Sequence, residues 1–213
     1  MLRITPMAHA QDAILIVGGG GHALVVADGA QAAGAAILGF LDDRADARLV
    51  GQLDRIGGFS LLEQRDLLRA HPIIYGLGDL ALRRDLINRI EARLTTIIHP
   101  SAIVSPKATI GEGVYIGPGA IINVNARLEN HVVINSGAVV EHDCVIGANT
   151  HLAPNATLGG DVTIGADTLV GIGSTVLPGV HIGDRCRVGA GSSVIHDVED
   201  GRTVVGVPAR ELE

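Results

Sequence analysis

From residue 104 onward an aliphatic side chain returns every six positions. The series runs Val104, Ile110, Ile116, Ile122, Leu128, Ile134, Val140, Ile146, Leu152, Leu158, Ile164, Val170, Val176, Ile182, Val188 and Val194, without one insertion. Four places after each of these sits a small or β-branched residue, as at Ala108, Ala120, Ala126, Cys144, Ala156, Ser174 and Cys186. Glycine often follows the aliphatic residue directly, as at Gly111, Gly147, Gly165 and Gly183. A period of six matches neither the 3.6-residue helix nor strict strand alternation, so the pattern predicts a β-solenoid. Each hexad supplies one flat strand and one turn. Three hexads make a triangular coil of 18 residues, and coils stack at about 4.8 Å. The aliphatic residue fills the prism axis and the small residue fits beside it. Such an interior has no room for rings, which accounts for 2% aromatics in a chain that is 47% apolar. Cys144 and Cys186 both fall on the small interior position, so they are expected to be buried thiols and not nucleophiles.

Residues 13–98 follow another grammar. Short apolar runs at 13–18, 36–43 and 72–78, with a fourth at 95–99, alternate with helical stretches at 22–34, 60–70 and 79–94. Ser60 and Glu63 have capping-box spacing and Asp79 is a plausible helix cap. Fully apolar strands alternating with helices imply a small Rossmann-like parallel sheet, an α/β domain. The expected division is 1–100 for this domain, 101–198 for the solenoid and 199–213 for a tail. Solenoid ends need capping, and the first domain and the tail are expected to cover one end each.

Composition removes several function classes. A net charge of −7 gives no electrostatic case for nucleic acid. Two cysteines are too few for a disulfide scaffold and form no zinc-type pair. No stretch approaches a membrane span, and residues 1–19 show no cleavable leader. The expectation is a soluble cytoplasmic protein.

Stacking in steps of 18 sorts the corners into three columns. Two are mostly glycine at their first position. The third reads Ser105, Asn123, Glu141, Gly159, Leu177, Ile195. His142 lies in this column, with Val124 one coil before it and Gly160 one coil after. Asp143 stacks between Asn125 and Asp161. A histidine above a glycine leaves a notch beside the imidazole, near the Gly160 N–H. A histidine held by a carboxylate is a general base suited to neutral pH, and Asp143 or Glu141 can supply that carboxylate. A solvated corner histidine in a polar turn is the plainer reading of the same residues. His151 is half a coil away, on the opposite side of the prism, so only a second subunit can bring a His151 to the notch of His142.

The loop at 18–23 carries a second site. Gly18, Gly20 and Ala23 fit G-x-G-x-x-A after a strand, and Asp42 and Asp43 end the next strand, close to a dinucleotide fingerprint. The physical content is broader than NAD. Backbone N–H groups at a helix N-terminus hold phosphate, and a strand-end carboxylate meets ribose or base. Read structurally, Asp42 and Asp43 are an exposed strand-end turn.

Taken together, "ILIVGGGGHALVV", "GFLDD", "IIYGLGDLALR", "INSGAVVEHDCVIGANTHLAPNATLGG" and "VVGVPAR" resemble the nucleotide-linked amino-sugar N-acetyltransferases. These group with the sialic acid O-acetyltransferases among hexapeptide-repeat acyltransferases. The resemblance implies a left-handed parallel β-helix, where the usual crossover rule would suggest the other hand. It implies that His142 takes a proton from a sugar amine attacking acetyl-CoA, with Asp143 as its partner, and that His151, Gly160 and Gly179 contact acetyl-CoA. Gly20, Gly21 and His22 are carried to the diphosphate of a nucleotide-linked amino sugar, Asp42 or Asp43 to its nucleoside, and Gly78 to the same cleft. It also implies a homotrimer with sites between subunits and no metal. Arg185, Arg187 and Arg210 are candidates for the CoA phosphates. The nucleotide base stays open among UDP, GDP and dTDP. Three other readings compete. A sialic acid O-acetyltransferase would use the same base on a hydroxyl. A zinc lyase on the same prism would draw on His131, His142, His151 and His181 shared between subunits, whose nitrogens would have to converge within about 2.1 Å of one metal. A nucleotide-sugar sensor would bind without catalysis.

Overall fold

The computed structural model of the chain describes residues 13–212; the expectation of no leader before residue 13 lies outside the described residues. The first domain is a four-stranded parallel sheet of β1 (Ile14–Val17), β2 (Ile37–Leu41), β3 (Arg55–Gly57) and β4 (Ile73–Tyr75), in the order β3-β2-β1-β4. All four residues of β1 are buried, which explains an unbroken ILIV run. Helix α1 (Gly21–Ala32) covers one face, where Ile14, Ile16, Phe40 and Ile74 meet Ala23, Val26 and Ala30. Helices α2 (Arg65–Ala70) and α3 (Leu80–Arg89) cover the other, where Leu15, Val17, Leu41 and Ile73 meet Leu68 and Leu86. Asp79 caps α3, its carboxylate accepting from the N–H groups of Ala81 at 2.9 Å and Leu82 at 3.1 Å.

Two local expectations are corrected. Ser60 does not open a helix with Glu63. Phe59–Glu63 forms a 3₁₀ turn capped by Gly58, and the Asp43 carboxylate takes the Phe59 N–H at 2.8 Å, so the acceptor comes from another strand and α2 starts only at Arg65. The run at 95–99 is not a fourth strand of the first sheet. Ile97–Ile98 pairs with Tyr115–Ile116 and begins the solenoid, while the fourth strand is the unforeseen β3.

The solenoid is a left-handed parallel β-helix with three faces. Its first face contains Ile97–Ile98, Tyr115–Ile116, Val133–Ile134, His151–Leu152, Leu169–Val170 and Arg187–Val188. Its second starts at Ile103–Val104 and its third at Thr109–Ile110. Register advances by one coil of 18: Tyr115 pairs with Val133, Val133 with His151, His151 with Leu169. The interior is one continuous apolar cluster, and both cysteines are buried in it. Where the small position is hydroxylic the group is satisfied internally: Thr150 donates to the Gly165 carbonyl at 2.7 Å, Thr168 to Gly183 at 2.8 Å and Ser174 to Gly189 at 2.7 Å.

The tail continues the prism. Thr203–Gly206 pairs with Arg187–Val188, Ala209–Glu211 folds back antiparallel on it, and Val204 joins the core. The first domain lies against the flank of the first face and not across the first coil, whose Ile98, Ala102 and Val104 stay partly buried. Ile97, Tyr115 and Val133 share a cluster with α1, and the Tyr115 hydroxyl donates to the Val25 carbonyl at 3.0 Å. Gly29 is where that ring passes; a Cβ there would meet it at 2.7 Å. The chain's largest solenoid ring therefore sits outside the prism, in the domain interface. No helix among the described residues is long and apolar enough to cross a membrane.

Candidate active site

The corner between the second and third faces holds His142. Asn125, Asp143, Asp161 and Gly179 occupy the same turn position in successive coils, with φ of 61°, 63°, 61° and 74°. Asn, Asp and Gly tolerate this left-handed conformation best. Backbone bonds tie the corners together: Asp161 N–H donates to the His142 carbonyl and Gly179 N–H to the Gly160 carbonyl, each at 2.9 Å. His142 Nδ1 lies 2.8 Å from Asp143 Oδ2. That hydrogen bond is the largest influence and raises the imidazole pKa, joined by the charges of Asp143, Glu141 and Asp161 and opposed by desolvation. Asp143 is held below the usual carboxylate range, first by a hydrogen bond from Asn125 and then by His142. Glu141 does not share the imidazole; it accepts from Asn123 Nδ2 at 3.0 Å. The two carboxylate partners left open by the sequence are thus resolved in favour of Asp143. A Cβ on Gly160 would collide with Nε2 and Cε1 of His142, so the missing side chain is what makes the notch. The His142 side chain is 56% exposed, so the cluster stands outside the core.

A second site lies at the carboxyl ends of β1, β2 and β4. Strand order reverses between β1 and β4, which opens a crevice there. Gly20 precedes α1 without a side-chain cap, and a Cβ on it would meet nothing within 4 Å. The start of α1 is therefore open beside Gly20. The small Ala23 is required by close packing on Gly76, where an added Cβ would stand 2.9 Å from the Ala23 Cα. Gly78 faces His22, at 3.7 Å from an added Cβ to the His22 Cβ. Asp42 is buried and braces the loop, accepting from Gly19 N–H at 2.7 Å and Arg44 N–H at 2.8 Å. Asp43 is exposed and braces β3's exit through Phe59. Both carboxylates thus order turns.

His151 faces this crevice and not the notch of its own chain. Its ring centroid is 5.3 Å from that of His22, and its Nε2 is 3.2 Å from Asn135 Nδ2. His22 also meets Tyr115 edge-on at 6.0 Å. His22 Nε2 and His151 Nδ1 are buried without a hydrogen-bond partner. Burial, aided by the nearby Arg83 charge, pushes the His22 pKa down to about 4. Burial, then His22 and Arg83, pushes that of His151 to about 3. Arg83 is fully buried. It donates through Nε to Asn149 Oδ1, through Nη2 to the Asn149 carbonyl at 2.7 Å and through Nη1 to the Leu77 carbonyl at 3.4 Å. Asn149 passes the contact on to Asp167 at 2.6 Å.

The predicted residues therefore separate into two groups. His142, Asp143, Gly160 and Gly179 share one corner. Gly20, Gly21, His22, Asp42, Asp43, Gly78 and His151 gather around the crevice. Sequence reading placed Asn125 beside Asp143 without giving it a role, and missed Asn135, Tyr115, Arg83 and Arg48, whose Nη1 would be 3.3 Å from a Cβ on Gly21. The coil step of 18 identifies Asn125 as the neighbour of Asp143; Tyr115 and Arg83 depend on how the domains dock, whereas Asn135 meets His151 within the solenoid and Arg48 approaches Gly21 within the first domain. His131 meets Tyr75, at the carboxyl end of β4, edge-on at 5.6 Å, and burial, aided by the Arg83 charge, pushes its pKa down to about 4. Among the described residues of one chain, no three His, Cys, Asp or Glu side chains cluster as metal ligands.

Residues 13–90 match the PglD N-terminal domain family, and residues 125–160 and 161–196 match the bacterial transferase hexapeptide family of six repeats. The UDP-N-acetylbacillosamine N-acetyltransferase of Bacillus subtilis (strain 168) is 39% identical over 119 residues, 48% of this chain; the match spans about half, 50%, of that curated relative. Among solved structures, a variant of the GDP-perosamine N-acetyltransferase of Caulobacter crescentus, in complex with CoA and GDP-perosamine, superposes with a TM-score of 0.89. It is 36% identical, over 95% of this chain and 98% of that one. The acetyltransferase domain of PglB from Neisseria gonorrhoeae FA1090 gives 0.89 at 34% identity, over 95% and 100%. The same domain has been solved with acetyl coenzyme A. With this likeness running through both domains, the chain belongs to the nucleotide-linked amino-sugar N-acetyltransferases of the hexapeptide-repeat, left-handed β-helix family.

Proposed function

We propose that this protein moves the acetyl group of acetyl-CoA onto the amine of a nucleotide-linked 4-amino-6-deoxysugar, with His142 as general base. The observation that carries the reading is the His142–Asp143 pair over Gly160. An imidazole whose Nδ1–H is given to a carboxylate presents Nε2 as acceptor. The amine nitrogen attacks the thioester carbonyl, its proton passes to His142 Nε2, the carbon–sulfur bond breaks, and the imidazolium returns the proton to the CoA sulfur. The Gly160 N–H stabilises the carbonyl oxygen as it gains charge. Positioning and proton removal suffice for a neutral amine, so no covalent enzyme intermediate is needed.

The first domain holds the nucleotide in this reading. Gly20, Gly21 and His22 receive the diphosphate, Asp42 and Asp43 border the nucleoside and Gly78 closes the cleft. The orphaned nitrogens of His22 and His151 support a polar ligand there. Because His151 and His142 stand on opposite sides of one prism, a complete site pairs the crevice of one copy with the corner of another, which favours a cyclic homotrimer. There His151 and Gly179 border acetyl-CoA. In this reading the protein works in the cytoplasm.

The test is thiol release from acetyl-CoA with UDP-, GDP- and dTDP-linked 4-amino-6-deoxysugars, set beside free sialic acid. Release with a nucleotide-linked amine, lost in His142→Ala, is the expected result. Release with sialic acid alone would establish O-acetylation instead. Full activity in His142→Ala would remove the mechanism.

A further inference from the structure

We propose that Asn125 is a positioning residue for the reaction: its side-chain amide holds the Asp143 carboxylate in the orientation that fixes the His142 proton on Nδ1 and leaves Nε2 facing the notch over Gly160. This deepens the acetyl-transfer reading and rests on it.

The geometry is a chain of two hydrogen bonds across one coil boundary. Asn125 Nδ2 donates to Asp143 Oδ1 at 2.9 Å, and His142 Nδ1 meets Asp143 Oδ2 at 2.8 Å. Each carboxylate oxygen has its own donor, so the group cannot turn without breaking both. A carboxylate only accepts, which fixes the amide face of Asn125 that turns toward it. Asn125 and Asp143 share the same left-handed turn position, 18 residues apart, and this alignment puts their side chains in register.

Backbone conformation alone does not select asparagine at position 125. Asp143 and Asp161 hold the same φ in the next two coils. An aspartate at 125 would fit the turn and would place three carboxylates in one column. The amide instead gives Asp143 a donor on the side away from Asp161. The charged groups facing His142 are Asp143, Glu141 and Asp161. Glu141 is engaged by Asn123, so a parallel asparagine–acid pair runs alongside and leaves Asp143 as the carboxylate bonded to the imidazole.

The informative variants are Asn125→Gly and Asn125→Asp. Glycine takes a φ near 61° without strain, so it removes the amide and keeps the turn. Two readouts apply: kcat and KM by thiol release with whichever nucleotide-linked 4-amino-6-deoxysugar the unaltered enzyme turns over fastest, and the ring-nitrogen NMR shifts of neutral His142. In Asn125→Gly, kcat should fall about tenfold while both KM values stay within about twofold. The ring should pass from the Nδ1–H form to a mixture of tautomers. Asn125→Asp should lose at least as much. An unchanged melting temperature shows that the fold is intact. Unaltered kcat together with an unaltered tautomer in Asn125→Gly overturns the proposal. Should that occur while His142→Ala is inactive, only the positioning role is lost. An active His142→Ala removes His142 as the general base while leaving acetyl transfer itself in place, and the tautomer measurement still decides whether Asn125 orients the pair.

Discussion

The rings of His22 and His151 lie 5.3 Å apart, one on the first domain and one on the prism, and neither can take a proton without burying charge beside the other and beside Arg83. Both pKa values fall below the ordinary 6.5, to about 4 and about 3. The unfolded chain therefore binds more protons than the folded one between pH 6.5 and those values, and stability rises with pH across that window. Stability should be full above about pH 7 and fall as the pH drops toward 4, by about 2–3 kcal/mol for each imidazole. Urea midpoints from pH 7.5 down to 4.5 measure the slope, and His151→Gln should flatten it. An unchanged slope in that variant would place the acid sensitivity elsewhere.

Gly160 leaves the notch open because any Cβ there runs into the His142 ring. Its φ is not left-handed, so alanine costs little in backbone strain. Gly160→Ala should therefore fold with a melting temperature close to that of the parent and lose about 10²-fold in kcat/KM. At Gly179 the situation is reversed. A Cβ meets nothing within 4 Å, but φ is 74°, so Gly179→Ala should lose about 1 kcal/mol of stability through strain. Steady-state kinetics and thermal melts on the two variants separate lost space from strain.

The prism was legible because its interior has one physical requirement, repeated. Val133, His151 and Leu169 are 18 apart in sequence and hydrogen-bonded neighbours in the sheet, so the hexad count alone places His142 above Gly160. Docking was not legible in the same way. Arg83 and Arg84 are adjacent, yet Arg83 is fully buried against Asn149 while Arg84 reaches Asp167 from a partly exposed position. Helical spacing puts Arg83 on the stripe of Leu80 and Leu86, but its partner Asn149 comes from a different domain and nothing local names it. Ser60 misled for a related reason: the acceptor for the turn at Phe59 is Asp43, at the end of another strand.

Among the described residues the buried Arg83 charge meets no carboxylate directly; Asp167 is linked to it through Asn149. Burial lowers its pKa to about 10, against the pull of Asp167, so it stays charged at neutral pH. Arg83→Met removes the charge but strands Asn149 in the interface, and should cost about 3 kcal/mol in urea unfolding. It should also relieve His22 and His151 of a cation. Their pKa values then move up toward 6.5, and the loss of stability on acidification becomes shallower than in the parent. A parallel slope would mean that burial alone sets these values.

Asp42 belongs to the glycine loop as much as to the strand that carries it. Its two oxygens take Gly19 N–H and Arg44 N–H, and Arg55 Nε donates to its carbonyl at 2.9 Å, so three segments converge on one residue at the mouth of the crevice. Asp42→Ala leaves two N–H groups without acceptors, one of them in the turn that presents Gly20 and Gly21. The expected loss is about 2 kcal/mol of stability, with a rise of about tenfold in KM for the nucleotide-linked sugar. The KM for acetyl-CoA should hold, because the proposed reaction of the thioester is at the His142 corner and not at this loop. Asp43→Ala provides the comparison. Its carboxylate braces the 3₁₀ turn at Phe59, so the loop at Gly19 keeps its acceptor and the stability loss should be smaller. Equal rises in both KM values for Asp42→Ala would show that the loop orders the whole protein rather than the nucleotide crevice.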